Sequence, residues 1–291
     1  MISKIFSGSK NRSILLMISA CACFAAMTSI MNFGCSRLSS MQIIFSRGLV
    51  DTLIVVPILL SQKVNLLGNN PWRLLTRGTL GVGGASCIFW ASLHMPIANA
   101  AALFRTTPLF MPFFAYLILK EQLYLRNVIL SIFGFAGVIL ILKPQSDYAV
   151  SYAGLIAVFG AFINSLAFVT VKHLSSREKP LSIMLYFFVL SIVYPLIFAS
   201  SSFLMPAGSE WIYLLIVGLF GFAGQYLMTW SFVSASAGVV TPWTYFEIVF
   251  SALFGFILLN QTIDLITLLG VLIIFYSASK IKIPEGKTPR V

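Results

Sequence analysis

The sequence predicts an all-α integral membrane protein, with ten transmembrane helices arranged as two inverted five-helix repeats. Composition, run length and the distribution of charge lead there. Hydrophobic residues make up 59% of the 291 and charged residues 9%, with a mean hydropathy of +0.96. Soluble domains carry about a quarter charged residues. The apolar runs are about 20 residues long, which suits helices crossing a hydrocarbon core of about 30 Å, not barrel strands of roughly 10 residues. Both tails and the short connections are basic and account for most of the net charge of +11, so the membrane surface explains that charge better than nucleic acid does.

In chain order the expected spans are 13–33, 40–61, 73–93, 97–119, 125–142, 152–173, 181–203, 211–234, 239–259 and 264–281. The first follows Lys4, Lys10 and Arg12 as a signal peptide would, but Ile14 to Phe33 is too long for a typical signal core and no clear cleavage site follows. Turn residues mark the connections at Gly68-Asn69-Asn70-Pro71, Lys143-Pro144-Gln145-Ser146-Asp147 and Met205-Pro206-Ala207-Gly208. With the N-terminus inside, fifteen Lys and Arg residues, Arg73 and Arg77 among them, fall on inner segments and only Arg37 and Lys143 on outer loops. Short basic loops stay cytoplasmic. An even number of spans returns the C-terminus to the same side, and five spans per half make the two halves inverted copies, an architecture common among secondary transporters. An offset of 140 supports the duplication weakly: Trp90 falls on Trp230, Phe110 on Phe250, Phe114 on Phe254, Leu119 on Leu259 and Leu125 on Leu265.

Each copy holds a charge inside an apolar run, Arg105 in the first and Glu247 in the second. A charge at membrane depth is a functional hypothesis by default. Arg105 shares a helical face with Ala98, Ala101, Ala102, Pro108 and Pro112, a wall of small residues and helix breakers. It is either an anchor for a substrate carboxylate or phosphate, or half of a structural ion pair. Glu247 has three readings: a proton-coupling group, a ligand for a substrate ammonium, or the structural partner of Arg105. Trp90 and Trp230, with Tyr226 one turn before the latter, are interfacial anchors or stacking surfaces for a planar ligand. Trp243, Tyr245 and Asn164 complete the candidate substrate-binding set. Arg47 and Asp51, one turn apart, are expected as a structural ion pair. The four cysteines and two histidines show no metal or disulfide spacing, and His94 and His173 are expected in loops. No nucleophile and base stand at catalytic spacing, so an enzyme is not expected, and neither is a cofactor.

The ten spans, the duplication, Phe45-Ser46-Arg47 early in span 2, Leu117-Ile118-Leu119-Lys120-Glu121 at the end of span 4, and Thr241-Pro242-Trp243-Thr244-Tyr245-Phe246-Glu247 in span 9 resemble the EamA-type branch of the drug/metabolite transporter superfamily. The second half departs from that pattern where span 9 ends in Asn260-Gln261 instead of an acidic residue. The resemblance implies a permease that moves small metabolites across a bacterial inner membrane by alternating access. It implies one repeat over residues 1–145, a second over 150–283 and a cytoplasmic tail at 284–291. Arg105 and Glu247 together would suit a zwitterionic or amphipathic solute, an amino acid or an S-adenosylmethionine-like compound, taken up or exported. The expected partners are that solute, the lipid bilayer, and protons or a counter-substrate, with the chain a monomer or homodimer. A channel or a non-transporting scaffold is the alternative of another class.

Overall fold

The computed structural model describes residues 9–95, 97–143, 151–259 and 264–280, and every regular element among them is helical. In chain order these are α1 (Ser9–Gly34), α2 (Ser40–Ser61), α3 (Pro71–His94), α4 (Ile97–Phe104), α5 (Thr107–Leu119), α6 (Leu125–Leu142), α7 (Tyr152–Leu174), α8 (Pro180–Ala199), α9 (Glu210–Ser234), α10 (Ala237–Val240), α11 (Phe246–Leu259) and α12 (Leu265–Ser279). Short 3₁₀ turns at Ser200–Ser202 and Thr241–Tyr245 complete the set. Two expected spans are broken: α4 and α5 form the fourth, while α10, the Thr241–Tyr245 turn and α11 form the ninth. That leaves ten spans. Eight are long and apolar enough to cross a membrane; the others are α3, diluted by Arg73, Arg77 and small polar residues, and the 15-residue α12. Two expected placements change. His94 and His173 stand in the last turns of α3 and α7 instead of in loops, and Arg77, counted above with the inner connections, is 2% exposed inside α3.

Local chemistry sets the helix ends. Asn70, Ser39, Ser151 and Asp264 each accept a hydrogen bond from a backbone amide in the first turn of the helix they precede. Lys120 and Lys143 close α5 and α6 in the left-handed conformation, with φ of 55° and 46°.

The packing obeys a two-fold exchange of span n with span n+5. The α1–α9 contact has its mate in α3–α7, α1–α11 in α5–α7, and α2–α9 in α3–α8. The α2–α8 and α6–α12 contacts map onto themselves, so the pseudo-two-fold axis passes through both. At α6–α12 it runs between two glycines: a Cβ at Gly137 would stand 2.7 Å from the Gly270 carbonyl oxygen, and one at Gly270 2.7 Å from the Gly137 carbonyl oxygen. In lipid, helices associate through such close backbone approach, since apolar surface alone gives them no reason to leave the hydrocarbon.

That crossing yields a test. Gly137→Val is expected to destabilise the folded protein by about 1–3 kcal/mol through overpacking, read as a lower thermal midpoint in detergent. Gly83→Ala, where a new Cβ meets nothing within 4 Å, should leave the midpoint unchanged or raise it.

Candidate functional site

Both broken spans are interrupted by proline, and each interruption is repaired by side chains. In the fourth span Pro108 has no amide to donate to the Phe104 carbonyl, and the Thr107 hydroxyl bonds that carbonyl instead, at 2.7 Å. The Thr106 hydroxyl takes the Leu103 carbonyl, also at 2.7 Å. In the ninth span Pro242 leaves the Gly238 carbonyl without its helical donor, and Asn127 of α6 approaches it at 3.5 Å. Thr241 bonds Ala237 O at 2.6 Å and Thr244 bonds Thr241 O at 2.7 Å. From α1, the Cys21 thiol reaches the Trp243 and Thr244 carbonyls at 3.5 and 3.7 Å. Irregular backbone at membrane depth is tolerated where neighbours satisfy it in this way.

The two breaks bring Arg105 and Glu247 together. Nη1 donates to Oε2 at 2.8 Å and Nη2 to Oε1 at 2.6 Å, a bidentate pair joining residues 142 apart in sequence. The side chains keep 23% and 15% exposure. Arg105 ends the fourth span's first half, and Glu247 opens the second half of the ninth. A fork-on-carboxylate pair is among the stronger protein ion pairs, and placed between repeats it ties one broken span to the other. Buried donors without an acceptor among the described residues include Arg105 Nε, Trp243 Nε1, Tyr245 Oη and, from α9, Trp230 Nε1.

The other expected site residues are dispersed. Tyr245, 1% exposed, faces Gly134 of α6. Trp243 stacks on Phe246 with centroids 5.5 Å apart. Tyr226 and Trp230 continue a ladder from Phe188 through Phe222, at successive centroid spacings of 6.0, 6.2 and 6.2 Å. Trp90 is engaged elsewhere, stacked on His94 at 3.9 Å and edge-on to Tyr152 at 5.8 Å. Asn164 packs against Gly84 at the α3–α7 crossing. Arg47 Nε meets Asp51 Oδ2 at 3.3 Å, and Arg47 Nη2 donates to the Gly221 carbonyl of α9 at 3.3 Å.

Sequence reasoning missed two contributors. Cys21 gave no signal because a lone apolar-run cysteine looks like packing. Glu121, noted only within the span-4 ending that carries the resemblance, accepts a hydrogen bond from the Ala237 amide at 3.1 Å at the start of α10. Burial raises the pKa of its carboxyl, against the lowering effects of Lys172 and of the Ala237 and Gly238 amides. Lys172 in turn donates to the Val233 carbonyl at 2.9 Å. Glu121 and Lys172 thus link the expected cytoplasmic ends of the fourth, sixth, eighth and ninth spans.

With this geometry in place, comparison with known proteins is informative. The family described as the EamA-like transporter family matches residues 11–143 and again 151–281. The chain is 28% identical to the pseudopaline exporter CntI of Pseudomonas aeruginosa, covering 88% of this chain and 91% of that one. It is 25% identical to an S-adenosylmethionine uptake transporter of Rickettsia felis, over 82% of this chain and 81% of the relative. One solved crystal structure matches with a TM-score of 0.80 at 18% identity, over 92% of this chain and 95% of that one, a likeness of fold.

The pair makes a prediction about stability. Removing one member leaves an uncompensated charge in a low-dielectric site, so Arg105→Leu or Glu247→Leu alone should each cost about 2–4 kcal/mol, the partial exposure of the pair softening the fully buried figure. The double substitution should cost less than either single one. A double-mutant cycle of unfolding midpoints measures this coupling.

Proposed function

The chain belongs to the EamA-like transporter family, and from that premise we propose that it is a secondary carrier that binds a zwitterionic or amphipathic metabolite between Arg105 and Glu247. As a family member it is a multi-pass membrane transporter of small metabolites. The observation that carries the finer reading is the bidentate pair at the two repeat-related breaks. In inverted-repeat carriers the solute site lies between repeats, near the midplane, on discontinuous helices.

A zwitterion offers a carboxylate to Arg105 and an ammonium to Glu247, so it replaces each member's partner with one of the same sign. The loaded site then has the same charge balance as the empty one. That matters because an isolated charge at the bilayer centre costs about 2.5–3.5 kcal/mol even on insertion scales. A carrier whose empty site neutralises itself can return without a solute, while one that reloads exchanges solute for solute. Arg105 Nε, Trp243 Nε1, Tyr245 Oη and Trp230 Nε1 supply donors for further solute oxygens, and the ladder ending in Trp230 supplies an aromatic wall. Trp90 and Asn164 belong in this reading to the walls of the path, not to the contacts with charge.

The repeats over 1–145 and 150–283 rock about the pseudo-two-fold axis. Glu121 and Lys172 are the latch on the cytoplasmic side, because both hold backbone groups at the junction of the eighth and ninth spans. The basic connections orient both termini to the cytoplasm in a bacterial inner membrane. The expected tail at 284–291 lies outside the described residues. S-adenosylmethionine and amino acids are the solutes to try first, given the pair and the relatives' solutes.

Exchange in proteoliposomes tests this reading. Vesicles are loaded with a pooled metabolite extract, and labelled amino acids and S-adenosylmethionine are presented outside. Wild type is expected to accumulate at least one label by saturable, counter-solute-dependent exchange, and Arg105→Ala and Glu247→Gln should lose it by about a hundredfold while still folding, as interactions worth roughly 2–3 kcal/mol imply. Undiminished exchange in both variants would make the pair a structural tie only. Glu121→Gln should retain binding but alter the exchange rate.

A further inference from the structure

Among the described residues Arg77 is the one arginine or lysine that is fully buried, and it has donors without an acceptor. It is 2% exposed, and its Nε and Nη1 reach no partner. It belongs to α3, six residues beyond the helix start at Pro71. An arginine so placed ordinarily snorkels back to the nearest membrane surface, but this one points the other way. A Cβ at Gly81, one turn further into the membrane, would stand 2.8 Å from Arg77 Nη1, so the guanidinium lies along the helix towards the bilayer centre. Gly81 leaves the room it occupies. The guanidinium lies over the Phe187 ring of α8 with Cζ 4.9 Å from the centroid, and Arg47 of α2 lies 6.0 Å from the same centroid.

No acidic side chain of the described residues pairs with it, although Asp51 of α2 keeps its Oδ1 buried without a partner. Asp51 holds Arg47, Glu247 holds Arg105, Glu210 holds Arg37 and Asp264 holds Lys143. Glu178 is taken by the Asn69 and Asn70 amides, and Glu121 by that of Ala237. A face-on aromatic ring attracts a cation, but it accepts none of the in-plane N–H bonds. Guanidinium donors in a fork are suited to an oxyanion. Depth excludes a lipid phosphate as that oxyanion. The level of Gly81 is about 15 Å from the start of α3, and Arg105 lies about 12 Å from the opposite end of the fourth span at a rise of 1.5 Å per residue, so both fall near the middle of a core about 30 Å thick.

We propose that Arg77 is a second oxyanion-binding residue of the carrier, which accepts an acid group of the solute beyond the one that Arg105 accepts. The inference rests on the carrier reading above for its identification of the ligand as a solute. Because Arg105 and Glu247 balance each other, Arg77 adds one net positive charge, and the matching solute class has one ammonium and two acid groups.

Thermal unfolding of the purified full-length protein, followed by tryptophan fluorescence, reads this without any flux. Sodium acetate and sodium phosphate serve as probes, titrated with ionic strength held by sodium chloride. Wild type should show a saturable rise in midpoint on the order of 5 °C near saturation. R77Q should abolish the rise, and R77K, which keeps the charge but lacks the fork, should weaken it, so that the reading stands even if R77Q folds poorly. No saturable rise in wild type, or the same rise in R77Q and R77K as in wild type, would overturn the proposal. On the labelled solute that exchange identifies, R77Q should raise KM at least tenfold. An Arg77-dependent acetate effect without flux of any solute would keep the site and sink the carrier mechanism, whereas flux with an unchanged KM in R77Q would do the reverse.

Discussion

Everything in this molecule follows from the cost of an unpaired polar group in hydrocarbon. Regular helices meet that constraint along most of the chain. It is not met automatically where proline removes an amide, as at Pro57 in α2, Pro112 in α5 and Pro195 in α8, and at the breaks of the fourth and ninth spans the neighbouring hydroxyls, an asparagine and a thiol take the carbonyls of the irregular backbone. The same constraint acts on charge. Arg105 and Glu247 can stand at depth because each supplies the other's two hydrogen bonds. The break and the pair are therefore one device: the interrupted backbone turns each side chain away from its own helix and across to the other repeat.

The two-fold exchange of contacts is close in the spans and imperfect in their charge. Arg105 falls by the 140 offset on Tyr245, and Glu247 on Thr107, so the pair bridges the axis without being symmetric about it. The offset likewise carries Glu121 to Gln261, which lies outside the described residues, and Lys172 to Asn32. These span ends thus carry an acid and a base where the repeat-related positions in the sequence carry amides.

The spans were legible because a run of about 20 apolar residues is a strong, local signal. The expected 40–61 and 125–142 coincide with α2 and α6. The breaks were only half legible. Pro108 and Pro112 were visible as breakers and Pro242 only as part of the span-9 stretch, yet a proline inside an apolar run specifies neither how far the helix unwinds nor where it resumes. Arg105 and Glu247 were legible as charges out of place, and their partnership was one of several open readings, since pairing across 142 residues depends on tertiary packing. Arg77 was misread because six residues from a helix start is within reach of the surface. Only the direction of its side chain, set by Gly81 and Phe187, reverses that reading.

Arg77 also bears on how the α3–α8 contact moves. Its charge is met by the Phe187 ring of α8, in the opposite repeat. On the proposed reading an oxyanion bound to Arg77 would change the force between the repeats at the depth at which a zwitterion would change the force between Arg105 and Glu247. One would loosen a tie by competing with Glu247 for Arg105, while the other would supply a counter-charge to Arg77. A solute able to do both at once biases the two repeats more than either group alone, because a ligand shifts a conformational equilibrium only by its difference in affinity for the two states.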